Sequence, residues 1–140
     1  MPITVAIIGL GIMGRRMLEH MNRHDAFTPV ALWDPDPDAC QAAQQLCPQV
    51  VIASSADAAI DAAALIYLAC PPVPRHDLTL MAAAAGKAVF LEKPLGVDVA
   101  ASEEMVAAMQ HAGVPTAVNF TQAAGAALAD ISQAAQTGGL

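Results

Sequence analysis

The chain has 140 residues, with six basic side chains against thirteen acidic ones, a formal net charge of −7 and a pI near 4.7. It is 56% apolar with a mean hydropathy of +0.47, enough to bury one sizeable core and too much for a disordered tail. The acidic balance argues against nucleic acid and against an anionic membrane surface as partners, since both require clustered basic side chains.

In chain order, residues 3–8 form a continuous apolar strand and 12–23 a helix, followed by a second strand over 28–33. Asp36 is an N-cap with Pro37 at the first helical position, opening a helix to about residue 46. A short strand at 50–53 precedes a short helix capped by Ser54 or Ser55, and 64–69 is the fourth strand. Pro74 opens a helix ending near Gly86, and 88–91 is the fifth strand. Asp98 caps a helix that stops at Gly113, with Val99, Ser102, Val106 and Met109 expected on one face. Residues 115–118 form a sixth strand, and 122–136 one more alanine-rich helix. Strands this apolar are covered on both faces, so the expected fold is α/β, a doubly wound parallel sheet in three layers.

Three cysteines, at 40, 47 and 70, make neither a disulfide framework nor a CxxC metal pair. His20 and His24 lie one helical turn apart without a third ligand, so no metal is expected. No uninterrupted apolar stretch reaches the roughly 18 residues that span a bilayer. The first residues also reverse the order of a secretory signal, with Arg15 and Arg16 following the apolar run. A reduced, cytoplasmic setting is the expectation.

The chemistry starts at Gly9-Leu10-Gly11-Ile12-Met13-Gly14, a GxGxxG between strand one and helix one. Gly9 permits the tight turn, Gly11 lets a pyrophosphate approach the backbone, and Gly14 lets the helix pack on the strand. The free N–H groups of the first helical turn, at Ile12 and Met13, then face phosphate oxygens along the helix dipole. Asp34 stands twenty residues past Gly14, at the end of strand two, where a carboxylate accepts the adenosine ribose hydroxyls. It would repel a 2′-phosphate, and Asp36 and Asp38 follow it, so NAD is expected in preference to NADP.

Two further strand ends are unusual. Strand four runs into Cys70-Pro71-Pro72-Val73-Pro74-Arg75-His76, a stiff turn offering a flat wall to a nucleotide. Strand five runs into Glu92-Lys93-Pro94, which sets a carboxylate and an ammonium at the rim of the sheet. Lys93 can hydrogen-bond a substrate hydroxyl and assist proton movement; the competing reading is a surface Glu–Lys pair. His76 either touches the coenzyme or caps its helix.

These residues resemble the glucose–fructose oxidoreductase, inositol dehydrogenase and rhizopine-catabolism (Gfo/Idh/MocA) family. The likeness rests on Ile7-Ile8-Gly9-Leu10-Gly11, on Asp34, on Pro71-Pro72 with His76, and above all on the run from Gly86-Lys87 through Glu92-Lys93-Pro94-Leu95. It implies hydride transfer between NAD and a sugar, inositol or related polyol. It also implies that Lys93 contacts the nicotinamide ribose and substrate, that Glu92 orders the turn, and that Pro94 follows a cis peptide bond. Asn119, at the end of strand six, joins the coenzyme-binding set. On this likeness residues 1–120 are the coenzyme domain. Residues 121–140 begin the connection to a second domain, which would carry the substrate, the acid/base histidine and the contacts of a homo-oligomer. The chain thus reads as an isolated nucleotide-binding domain, a fragment or a truncated gene product. Gln122 stands where the family often has arginine. Two alternatives are a non-catalytic NAD-binding sensor and a β-hydroxyacid dehydrogenase, whose opening the glycine motif also resembles.

Overall fold

A computed structural model describes residues 1–121 and 125–137. Strand β1 (Ile3–Ile8) pairs in parallel with β2 (Phe27–Trp33) on one side and β4 (Leu65–Leu68) on the other. Beyond β2 lies the two-residue β3 (Val51–Ile52). Beyond β4 come β5 (Ala88–Glu92) and β6 (Thr116–Asn119). The order β3-β2-β1-β4-β5-β6 reverses between β1 and β4, and such a switch point opens a crevice at the carboxyl ends of the strands.

Alternation along β1 explains the three layers. Val5 and Ile7 face a core with Leu18 and Met21 of α1 (Ile12–Asn22) and Ala43 of α2 (Pro37–Leu46). Ala6 and Ile8 face a second core with Ile60 of α3 (Ala56–Ala62), Leu78 of α4 (Pro72–Ala84) and Met105 of α5 (Val99–Ala112). Pro29 interrupts the β1–β2 register, which slips so that Val5 faces Pro29 while Ala6 faces Ala31. A proline inside a paired strand donates no N–H, and a bulge is the usual accommodation.

The caps at Asp36, Ser55 and Asp98 all accept a backbone N–H from the first turn of their helices. Gly113 closes α5 in the left-handed region at φ +65°. Two expectations shift. Helix α4 begins at Pro72 rather than Pro74, since prolines are tolerated throughout a first turn whose N–H groups lack helical partners. On α5 the buried residues are Met105 and Met109, while Val99 and Val106 remain exposed. The last helix, α6 (Ala126–Gln136), buries no residue. Gln122 lies outside the described residues. No described helix is long and apolar enough to cross a membrane.

Candidate functional site

Gly9 sits at the switch point with φ +92°, and a Cβ there would stand 2.4 Å from the Cys70 nitrogen at the end of β4. A Cβ on Gly14 would lie 1.8 Å from the Gly9 carbonyl oxygen. Both glycines are therefore demanded by the chain's own packing. Gly11 is different. It has φ −66°, and a Cβ on it would meet nothing within 4 Å. Nothing within the described chain requires that position to be bare; a group lying against the backbone from outside would.

Gly11 is also the N-cap of α1, with no side-chain cap and no acidic residue in the first turn. An uncapped helix start whose N–H groups face an open crevice is suited to an anion. Asp34 is half-buried beside it. Its carboxylate accepts the Leu10 N–H at 2.7 Å and the Asp36 N–H at 2.9 Å, which locks the glycine turn to the end of β2. Arg15 donates to the Leu10 carbonyl at 2.6 Å.

Two adjoining cavities run along this edge. One, of about 610 Å³, is lined by Gly9, Gly11, Met13, Asp34, Cys70, Pro71, Glu92 and Lys93, with Arg16, Ala69, Arg75 and Thr121 added to the residues expected from sequence. The other, of about 490 Å³, shares Gly9, Asp34, Cys70 and Pro71 and adds Trp33, Pro35 and Pro74. Together they form one cleft of a size suited to a dinucleotide. Pro94 and Asn119 line neither cavity; the Pro94 carbonyl accepts from Arg75, and the Asn119 amide donates to Glu92. Pro72 and His76 line a separate cavity between α4 and α5. The His76 ring has its Nδ1 2.9 Å from Asp77 Oδ1 and its Nε2 3.3 Å from Glu104 Oε2, the latter without hydrogen-bond geometry. These two acids, with the Asp77 hydrogen bond first, hold its pKa above the ordinary 6.5.

The Glu92-Lys93-Pro94 turn departs from a simple surface pair. Glu92 is 5% exposed, and its carboxylate accepts the Tyr67 hydroxyl and, at 2.6 Å, the Asn119 amide. Tyr67 is fully buried. Burial, and then its bond to Glu92, push its pKa far up, so it stays a proton donor to that carboxylate. Lys93 is exposed at the mouth of the cleft, and the Lys93–Pro94 bond is cis. Behind them Arg75 is 2% exposed and donates to the carbonyls of Cys70, Glu92 and Pro94. Sequence reading passed over Arg75 for its neighbour His76. The signal was present: Arg75 falls in register with Leu78, Thr79, Ala82 and Ala83, the buried stripe of α4. Burial raises the Cys70 thiol pKa against the opposing pull of Arg75, so this sulfur is no thiolate nucleophile.

A glycine turn at the switch point of a parallel sheet, an acid closing β2 and a helix start open to an anion define a dinucleotide-binding domain of the Rossmann type. The model of the GFO_IDH_MocA oxidoreductase family, NAD-binding Rossmann fold, matches residues 3–120, and the chain belongs to that family. It is similar to a D-apiose dehydrogenase of Paraburkholderia graminis, with 35% identity over a 134-position alignment that covers 89% of this chain and 36% of that protein. Its fold is similar to that of a myo-inositol 2-dehydrogenase from Lactobacillus plantarum, with a TM-score of 0.91 at 25% identity, covering 99% of this chain and 42% of the other. It is also similar to the WlbA dehydrogenase of Bordetella pertussis, solved with NADH and UDP-GlcNAcA, with a TM-score of 0.90 at 26% identity and coverage of 99% and 43%. The chain spans 30–36% of the length of the curated relatives it matches.

Proposed function

We propose that this domain holds NAD(H) along the carboxyl edge of its sheet, for an oxidoreductase that moves hydride to or from a hydroxyl-bearing carbon of a sugar, inositol or related polyol. The observation that carries the reading is Gly11, bare toward open space where neither packing nor φ requires it. On this reading the diphosphate lies against Gly11, Ile12 and Met13, with Gly9 and Gly14 shaping the turn. The adenosine ribose faces Asp34. The wall of Cys70 and Pro71 runs on toward Lys93, and Glu92, Pro94 and Asn119 support that turn from behind. His76 and Pro72 are left out, because they face α5 instead of the cleft.

The coenzyme supplies hydride exchange; the chain supplies position and charge. Lys93 is the catalytic candidate, its ammonium at the cleft mouth hydrogen-bonding a substrate hydroxyl and steadying the proton that leaves as the carbonyl forms. Asp34, Asp36 and Asp38 disfavour a 2′-phosphate, which selects NAD over NADP. Residues 1–120 are the coenzyme unit and 121–140 the lead into a substrate-binding region that completes a cytoplasmic homo-oligomer.

Titration with NADH tests this directly, using the single tryptophan as reporter: Trp33 lines the cleft, and its emission falls by energy transfer to bound dihydronicotinamide. Saturable quenching is expected, and none up to millimolar NADH would remove the proposal. With the full-length gene product, turnover on inositols and sugars that is lost in Lys93→Ala supports the enzyme. Tight coenzyme binding with no turnover on any of them supports the sensor instead.

A further inference from the structure

We propose that Arg75 is the positioning residue that sets where Lys93 stands, by tying the loops after β4 and β5 to one guanidinium. The proposal rests on the coenzyme reading above and deepens it. Arg75 lies one turn into α4, among apolar and small neighbours, and is 2% exposed. Every hydrogen bond its guanidinium makes goes to a main-chain carbonyl. Nη2 donates to Cys70 at 2.5 Å, while Nη1 donates to both Glu92 and Pro94, the residues on either side of Lys93. Lys93 is thus bracketed by two pinned carbonyls, and the third pinned carbonyl belongs to the opposite wall of the same cleft.

Among the described residues no carboxylate lies within ion-pair distance of Arg75, and its buried Nε–H has no partner. A buried cation balanced by carbonyl dipoles alone is costly, and an apolar side chain would fill the stripe without that cost. What the guanidinium adds is its fork. A planar group with donors on two nitrogens can hold carbonyls from separate loops in one fixed arrangement, which the point charge of a lysine cannot. The local geometry needs such a brace: Lys93 is exposed, and a side chain in a turn is only as well placed as the backbone beneath it.

Arg75→Lys and Arg75→Met in the present chain, titrated with NADH and separately with ADP, test the assignment. Arg75 lines the cavity that holds Lys93 and not the one lined by Trp33, so ADP affinity should stay within about two-fold while NADH affinity falls about ten-fold or more. Amide exchange at Lys93, Leu95 and Gly96 should quicken in Arg75→Lys, with Ile7 and Ile8 of β1 unchanged. Equal losses for NADH and ADP, or unaltered exchange in the turn, would overturn the assignment. Should both variants fail to fold, ¹⁵N resonances of the Arg75 guanidinium in the unaltered chain decide the matter. They should shift on adding NADH and stay put with ADP; a signal indifferent to NADH refutes the role. An unaltered chain that binds neither ligand defeats the coenzyme reading itself. An unaltered chain that binds both, beside an Arg75→Lys variant that also binds both equally well, defeats only Arg75.

Discussion

Alanine at each glycine of the turn separates folding from binding. A Cβ on Gly14 would sit 1.8 Å from the Gly9 oxygen, and the obstructing atoms are Gly9 backbone, with no flexible side chain to yield. Overpacking of that kind costs about 3 kcal/mol or more, a large share of the roughly 5–15 kcal/mol that holds a domain together. Gly11→Ala meets no atom within 4 Å and keeps an ordinary φ of −66°. Its lower unfolded-state entropy contributes about 0.4–1 kcal/mol, offset by roughly 0.7 kcal/mol lost in exchanging glycine for the poorer N-cap alanine. Net stability should change by less than about 0.5 kcal/mol, a midpoint shift of roughly 2 °C at most. Binding should respond in the opposite way. A methyl group at Gly11 holds a diphosphate off the first-turn amides; losing two charge-assisted hydrogen bonds at about 1.5 kcal/mol each weakens NADH on the order of 100-fold. Thermal unfolding reads the first quantity and Trp33 quenching the second. Wild-type NADH affinity in Gly11→Ala would refute the reasoning, because the bare position would then have no ligand to explain it.

Other substitutions probe the remaining parts of the cleft. Asp34→Asn turns one of two acceptors into a donor facing a backbone N–H, so it should cost about 1–2 kcal/mol in urea unfolding. The lost charge should also bring NADPH affinity about ten-fold closer to that of NADH in paired titrations. Tyr67→Phe leaves one Glu92 oxygen short of a buried donor and should lower unfolding free energy by about 1–3 kcal/mol. His76 has its pKa raised by Asp77 and Glu104, so the folded state favours its protonated form. Its stabilising contribution is complete below pH 6.5 and fades as pH rises through the higher folded value. An NMR titration should place that midpoint above 6.5, and His76→Ala should flatten this part of the stability profile. All three thiols are free and buried, so a disulfide reagent should label almost none before denaturation and all afterwards.

The parts legible in the sequence are those whose cause is local. Asp36 before Pro37, Asp98 before Val99 and Gly113 after Ala112 mark helix ends because a cap is an interaction across three or four residues. The glycine turn and Asp34 are legible for the same reason, as each occupies a fixed place at a strand end. The face of α5 was not. Val99, Ser102 and Val106 share a helical face with Met109, yet the sheet takes Met105 and Met109 while Val99 and Val106 stay in solvent. Which apolar stripe a helix buries depends on its docking angle, and periodicity does not state that. The brace behind Lys93 is less legible still, since it draws Tyr67 from β4, Glu92 from β5, Asn119 from β6 and Arg75 from α4.

The competing reading of Glu92, as half of a surface ion pair, fails because the side chain is buried, and the strand pattern gives the reason. Side chains alternate along a strand, so Glu92 belongs to the same face as Phe90, with Leu91 opposite. Phe90 packs against Tyr67, its partner on β4, with the ring centroids 5.4 Å apart, while Glu92 is paired with Asn119 on β6. A carboxylate on that face is carried inward, beside a buried hydroxyl and an amide able to satisfy it. Lys93 is the next residue, past the last pair of β5, where the chain has left the helix-covered sheet and the side chain is exposed. Had β5 ended one residue earlier, Glu92 would stand outside with the lysine and neutralise it. The strand's length therefore decides the charge at the mouth of the cleft: the acid is spent on Tyr67 and Asn119, and the ammonium is left exposed.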